Sequence, residues 1–134
     1  AVNKDKIISN EKRIPKNKKS LQEATLEQMN KLQKEELWKK ELLKEHFVRF
    51  SHLLRSYLTS RYGVSFLDKT TQQSIFLLDS LSLDEALKNK ILQLLKSSDL
   101  VKFADSNIED KYISFLFEDF TSIVIQTTPI MEEP

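Results

Sequence analysis

Residues 47–78 read FVRFSHLLRSYLTSRYGVSFLDKTTQQSIFLL, a stretch that holds the densest helical apolar pattern of the chain and its one glycine. Phe47, Phe50, Leu53, Leu54, Tyr57 and Leu58, then Arg61 and Tyr62, recur at steps of three and four. One apolar face therefore runs along a helix of about four turns and must be buried. Gly63 supplies the residue that tolerates positive φ at a helix end, and Val64 can fold back onto the last turn near Leu58. A short extended piece over 65–69 leads to Thr70 and Thr71. Either can accept from the free amides of a new helix that carries Ile75, Leu77 and Leu78. The stretch is a helix, turn, helix corner, and its chemistry by itself names no function.

Around this corner lie 134 residues, 40% of them hydrophobic and 31% charged, a balance that suits one soluble domain with an ordinary core. One glycine and three prolines are too few for the many tight turns of an all-β domain, so the expected class is all-α, a compact bundle of four to five helices. The chain has no cysteine, which removes disulfides and thiolate metal sites. No apolar run reaches the ~18 to 20 residues that cross a bilayer, and no signal-peptide pattern opens the chain. It begins at Ala1 without an initiator methionine, as a processed chain or a piece of something longer would. The net charge of +1 conceals an uneven distribution: residues 1–19 hold seven Lys or Arg against Asp5 and Glu11, and the remainder is net acidic. Such a tail suits a nucleic-acid arm, an anionic-lipid contact or a flexible linker, the linker being the simplest.

In chain order, 1–19 reads as a disordered basic tail, with few large apolar residues and Pro15 against helix formation. Residues 20–129 form the domain, and 130–134 a frayed end. Ser20 opens the capping box S-L-Q-E with Glu23, so a helix starts at Leu21. From 21 to 45 the apolar residues are sparse, while Glu27 with Lys31, Glu35 with Lys39 and Glu36 with Lys40 place glutamate four residues ahead of lysine. This is a long charged arm, a stalk or a laterally packed helix, with no breaker before Phe47, so that it either runs on into the central helix or bends near Glu45 and His46, and with Trp38 expected to pin it. After the corner, Ser82-Leu83-Asp84-Glu85 repeats the capping spacing, and Leu87, Ile91, Leu94 and Leu95 form a buried stripe that ends at Ser97-Ser98-Asp99. Leu100, Val101 and Phe103 are expected to tuck into the core. The last helix is expected to be capped by Ser106 or Asn107, to turn Ile108, Tyr112, Phe115, Leu116, Phe120 and Ile123 inward with Phe117, Val124 and Ile125 outside that face, and to fray at Thr127 and Thr128.

The chemistry-bearing residues do not converge. His46 and His52, six apart, fall on different faces of a helix, unlike the four-residue spacing of a zinc-binding pair. The carboxylate pairs Glu35-Glu36, Asp84-Glu85, Glu109-Asp110 and Glu118-Asp119 sit on charged faces or first turns, where solvation or capping accounts for them. No nucleophile motif, phosphate-binding loop or dinucleotide fingerprint occurs. Arg49, Arg55 and Arg61 recur every six residues, about 240° apart by helix geometry, and so make no single basic stripe. The expectation is a non-enzymatic chain with no cofactor and no metal.

The runs LLRSYLTSRYGVSFLDKTT from Leu53 and KILQLLKSSDLVKFAD from Lys90, with the Thr127-Thr128-Pro129 end, resemble the C-terminal cytoplasmic domain of BatD-like membrane proteins. These belong to bacterial aerotolerance operons that also carry a MoxR-type AAA+ ATPase and von Willebrand factor A proteins. The resemblance covers about residues 45–129, with Leu54, Tyr57, Leu58, Gly63, Thr70, Thr71, Leu100 and Phe103 as its signature. Gln73 stands where relatives often have glutamate. The resemblance implies a transmembrane helix upstream, the basic tail as its juxtamembrane segment on the cytoplasmic face of the inner membrane, and a domain that docks the ATPase or the von Willebrand factor A proteins. Arg55, Arg61, Asp99 and Lys102 are the candidate docking residues, although an Asp99 to Lys102 ion pair is the plainer reading of those two. A rival from another class is a helix-turn-helix-like nucleic-acid binder that uses the basic tail; it predicts salt-sensitive DNA affinity lost when 1–19 is removed.

Overall fold

The computed structural model describes residues 19–102 and 108–129. In order these form α1 (Leu21–Glu35), a 3-10 turn (Leu37–Lys40), α2 (Leu43–Tyr62), α3 (Thr71–Ser80), α4 (Glu85–Lys102) and α5 (Asp110–Gln126). The protein is all-helical, as the scarcity of glycine and proline implies. α2 is the element on which the others assemble: α1, the 3-10 turn and α4 pack on it, and its Phe50 meets Phe120 of α5 edge-on at 5.4 Å. The stripe of residues 47–58 explains this position. Phe47, Phe50, Leu54, Tyr57 and Leu58 are all buried, which places apolar surface on enough of the helix circumference to take several neighbours.

The charged arm folds differently from a continuous helix. Its start is as expected, with the Ser20 hydroxyl accepting from the Glu23 amide at 3.1 Å and the Glu23 carboxylate accepting from the Ser20 amide at 3.3 Å. The helix then stops at Glu36, whose φ of 44° lies in the left-handed region, and a second left-handed residue, Glu41 at φ 62°, ends the 3-10 turn. No glycine or asparagine marks either break. The gain lies in what the break turns inward: Leu37 is buried and Trp38 packs against the core, which outweighs roughly 1 kcal/mol of strain at each left-handed residue. The interruption removes the register that would pair Glu35 with Lys39 and Glu36 with Lys40. Glu35 instead accepts both guanidinium N–H groups of Arg49, at 2.9 and 2.7 Å, and Glu36 takes Lys39 at 3.2 Å. α1 is a packed member of the domain, with Thr25, Met29 and Leu32 buried against α2 and α5.

Gly63 closes α2 at φ 74°, its N–H donating to the Thr59 carbonyl. The connection over 63–70 buries a residue that the helical periodicity does not reach, Phe66, which is fully enclosed. Its amide donates to the Thr59 hydroxyl at 2.9 Å, and that hydroxyl donates to the Arg55 carbonyl at 2.8 Å. Thr70 is the cap of α3, with Gln73 completing the box in place of glutamate. A neutral amide oxygen accepts the Thr70 N–H at 2.9 Å without needing a charge.

α4 begins two residues later than the Ser82 box implies. Asp84 is the cap, its carboxylate accepting from the Leu87 amide at 3.3 Å, and the helix starts at Glu85. It also runs through Ser97-Ser98-Asp99 rather than ending there. Ser98 is buried, and its hydroxyl donates to the Leu95 carbonyl at 3.0 Å, which lets a serine sit inside a helix. Continuing the helix puts residues 94, 98 and 101 on one side, so Val101 is buried while Leu100 points out at 74% exposure. Leu100 is therefore not a core residue, and Phe103 lies outside the described residues, as do the basic tail over 1–18, the proposed caps Ser106 and Asn107, and 130–134.

α5 starts at Asp110, with Glu109 at the N-cap position but making no side-chain cap bond, and buries Ile113, Leu116, Phe120, Ile123 and Val124. The core face keeps Leu116, Phe120 and Ile123 from the expected set but is turned about a sixth of a circle: Ile113 and Val124 are inside, and Tyr112 and Phe115 are exposed. Thr127 and Thr128 are not frayed. Their hydroxyls donate to the Ile123 and Val124 carbonyls at 2.7 and 2.8 Å, and Thr128 accepts from Gln22 of α1 at 3.1 Å.

Candidate functional site

Arg55, Asp99 and Lys102 are brought together where α2, α3 and α4 meet. Arg55 enters the core, its side chain 8% exposed. It donates from Nη1 to the Ser51 hydroxyl and from Nη2 to the Thr71 hydroxyl at 3.1 Å, while Thr71 in turn donates to the Asp99 carboxylate. Asp99 lies 4.0 Å from the guanidinium and 3.3 Å from the Lys102 ammonium. Thr70 and Thr71 have therefore divided their work: the first caps α3 and the second ties it to both neighbours. Arg55 Nε is buried with no hydrogen-bond partner among the described residues. The cluster is a polar clamp inside a fold, and a partner would meet only the rim formed by Asp99 and Lys102, each less than a third exposed.

Arg61, the fourth candidate, belongs to a separate group. Its Nε donates to the Tyr57 hydroxyl at 3.2 Å, and its guanidinium lies 5.6 Å from the Tyr57 ring centre. The Tyr57 hydroxyl also reaches the Val124 carbonyl, to which it donates at 3.3 Å, and lies 2.5 Å from the Thr127 hydroxyl, which itself bonds the Ile123 carbonyl. This chain of bonds fastens the end of α5 to α2.

The least satisfied polar groups lie under the 3-10 turn. His46 is almost wholly enclosed, packed edge-on against Trp38 at 4.9 Å and Phe47 at 4.7 Å. Neither His46 ring nitrogen nor Trp38 Nε1 has a hydrogen-bond partner among the described residues. Burial first, and then the nearby Arg49 charge, push the imidazole down to about 4, against a smaller pull from Glu35. His46 is thus neutral at physiological pH. The Arg49 pair holds the Glu35 carboxyl below its usual range. His52, in contrast, is exposed.

A groove of about 190 Å³ runs between α1 and α2, lined by Leu21, Ala24, Thr25, Gln28, Leu53, Ser56, Tyr57 and Ser60; it is small for a cofactor or drug-sized ligand. Among the described residues no group of three His, Cys, Asp or Glu side chains is placed to hold a metal ion, and no helix is long and apolar enough to cross a membrane. What the surface does offer is large apolar side chains. Phe76 of α3 is 71% exposed and Leu100 of α4 is 74% exposed. Both stand on the outward sides of an α3–α4 hairpin that is fastened at its two ends by Asp79 with Lys88 and Thr71 with Asp99. The periodicity of Leu100 with the residues before it could have exposed this, once α4 is continued past Asp99. No protein-family model matches the chain, and no curated protein or solved structure matches it either.

Proposed function

We propose that this helical domain is a non-enzymatic docking module that binds protein partners through the outward side of the α3–α4 hairpin. The observation that carries the reading is the pair Phe76 and Leu100: two large apolar side chains left in water on a hairpin tied across by Thr71 to Asp99 and by Lys88 to Asp79. Solvating them costs the free protein, and covering them rewards a partner. The resemblance of residues 53–71 and 90–105 to BatD-like cytoplasmic domains supplies the partner class, a MoxR-type AAA+ ATPase or a von Willebrand factor A protein, met at the cytoplasmic face of a bacterial inner membrane. Asp99 and Lys102, at the rim beside Leu100, give such a partner one charge of each sign.

The test is binding of the purified domain to a purified MoxR-type ATPase and to a von Willebrand factor A protein. The reading expects a micromolar or tighter complex with one of them, weakened at least about tenfold by Phe76→Asp or Leu100→Asp, the size expected on losing an anchor residue. Absence of binding to both partner classes, or binding indifferent to both substitutions, contradicts it.

A further inference from the structure

α5 carries a second outward face, on the side of the helix away from Phe120. Residues 111, 115, 118, 122 and 125 follow one another at steps of four, three, four and three, so they line a single seam. Phe115 and Ile125 on this seam are 56% and 55% exposed. Tyr112 stacks beside Phe115 with ring centres 6.4 Å apart and planes 24° from parallel, which broadens the apolar surface at the middle of the seam. Lys111 and Glu118 flank Phe115 and are exposed. Neither forms an ion pair among the described residues.

This arrangement complements itself in one orientation. Lys111 lies about 6 Å along the helix axis on one side of Phe115, and Glu118 about 4.5 Å on the other, at 1.5 Å per residue. A parallel copy would set lysine against lysine and glutamate against glutamate. An antiparallel copy, turned about a two-fold axis through Phe115, sets each lysine against a glutamate twice over and places the two phenylalanine rings together. A two-fold contact uses the same patch on both molecules, so a patch with a central apolar residue and opposite charges at near-equal distances meets that requirement. At the next level the small Ser122 comes opposite the partly buried Ile108.

We propose that the outer face of α5 seats a second copy of this chain, packed antiparallel about Phe115, with Lys111 of each copy facing Glu118 of the other. A contact one helix wide is at the small end of specific interfaces, so the dimer is a weak one that forms as concentration rises. It uses α5 and leaves the α3–α4 hairpin uncovered, and it stands or falls independently of the docking function.

Sedimentation equilibrium of the full chain, carried into the hundred-micromolar range, provides the first reading, with circular dichroism to show that each variant keeps its helical fold. The wild type is expected to dimerise. Lys111→Glu and Glu118→Lys each raise the dissociation constant about tenfold, since each turns two favourable pairs into two repulsive ones. An equimolar mixture of the two variants recovers wild-type association, because one copy then presents only acids and the other only bases. The absence of cysteine permits a second reading: Phe115→Cys places the two new thiols at the axis and cross-links on mild oxidation at least tenfold faster than Ile125→Cys, about 15 Å farther along the helix. A wild-type chain that stays monomeric, a dimer indifferent to both charge reversals, a mixture that fails to recover, or equal cross-linking of the two cysteine variants overturns the proposal.

Discussion

His46 is the residue at which the fold and the chemistry of its side chain disagree most. It occupies a place that an aromatic hydrocarbon would fill as well, between Trp38 and Phe47, and hides two nitrogens that have no partner there. The folded protein holds the imidazole neutral down to about pH 4, whereas the unfolded chain protonates it near 6.5. Above 6.5 the group contributes no pH dependence. Between 6.5 and 4 the unfolded chain takes up a proton that the folded one refuses, so stability falls as pH falls, by up to ~3 kcal/mol, and levels off below 4. Urea titrations of wild type and His46→Phe at pH 7, 5 and 4 should therefore diverge on the acid side, with the variant the more stable; parallel curves would refute this. The sequence places His46 beside Phe47 but does not reveal its burial, because histidine suits a surface and a core equally. Thr71 is legible only in part for a similar reason: two adjacent threonines announce a cap, and the geometry alone tells which one caps. Thr71→Val keeps the shape and removes both the acceptor for Arg55 and the donor to Asp99. It is expected to cost ~1 to 3 kcal/mol in chemical denaturation, with Thr71→Ser close to wild type.

At the level of elements, α2 and its end are the most readable part of the chain. The three-and-four spacing names the buried side chains, and Gly63 sits where its φ of 74° requires it. A Cβ there would meet nothing within 4 Å, so Gly63→Ala tests backbone conformation alone, with an expected loss of ~1 kcal/mol. Glu36 and Glu41 are the converse, left-handed residues that carry a side chain. Glu41→Gly relieves the strain at the cost of a more flexible unfolded chain, and a net gain of about 0.5 kcal/mol in thermal or urea unfolding is expected. The break they make is illegible in the sequence because tertiary burial of Leu37, rather than a local breaker, produces it. The same physics displaces the α5 face: residues 112–125 are apolar on too many sides for spacing alone to select which third of the helix goes inside, and the neighbouring α1, α2 and α4 decide it. Continuation of α4 through two serines follows from a hydroxyl bonding back to its own helix, an option that a reading of serines as helix stops overlooks.

Taken as a whole, the molecule divides its side chains between holding the helices and facing outward. Of the four residues that the sequence offers for recognition, Arg55, Asp99 and Arg61 hold α2 to α3, α4 and α5, while Lys102 pairs with Asp99 within α4. Two of the outward apolar residues, Phe76 and Leu100, are ones that periodicity either passes over or assigns to the core. All-α architecture was legible because turn residues are so few; the proposed docking surface was not, because it consists of apolar side chains that only the packing leaves outside. The most direct test of the docking account is hydrogen–deuterium exchange of the domain alone and with a saturating MoxR-type ATPase or von Willebrand factor A protein. The account predicts slowed exchange confined to the outward sides of α3 and α4 around Phe76 and Leu100. Unchanged exchange in that hairpin with both proteins, or protection centred elsewhere, would contradict it.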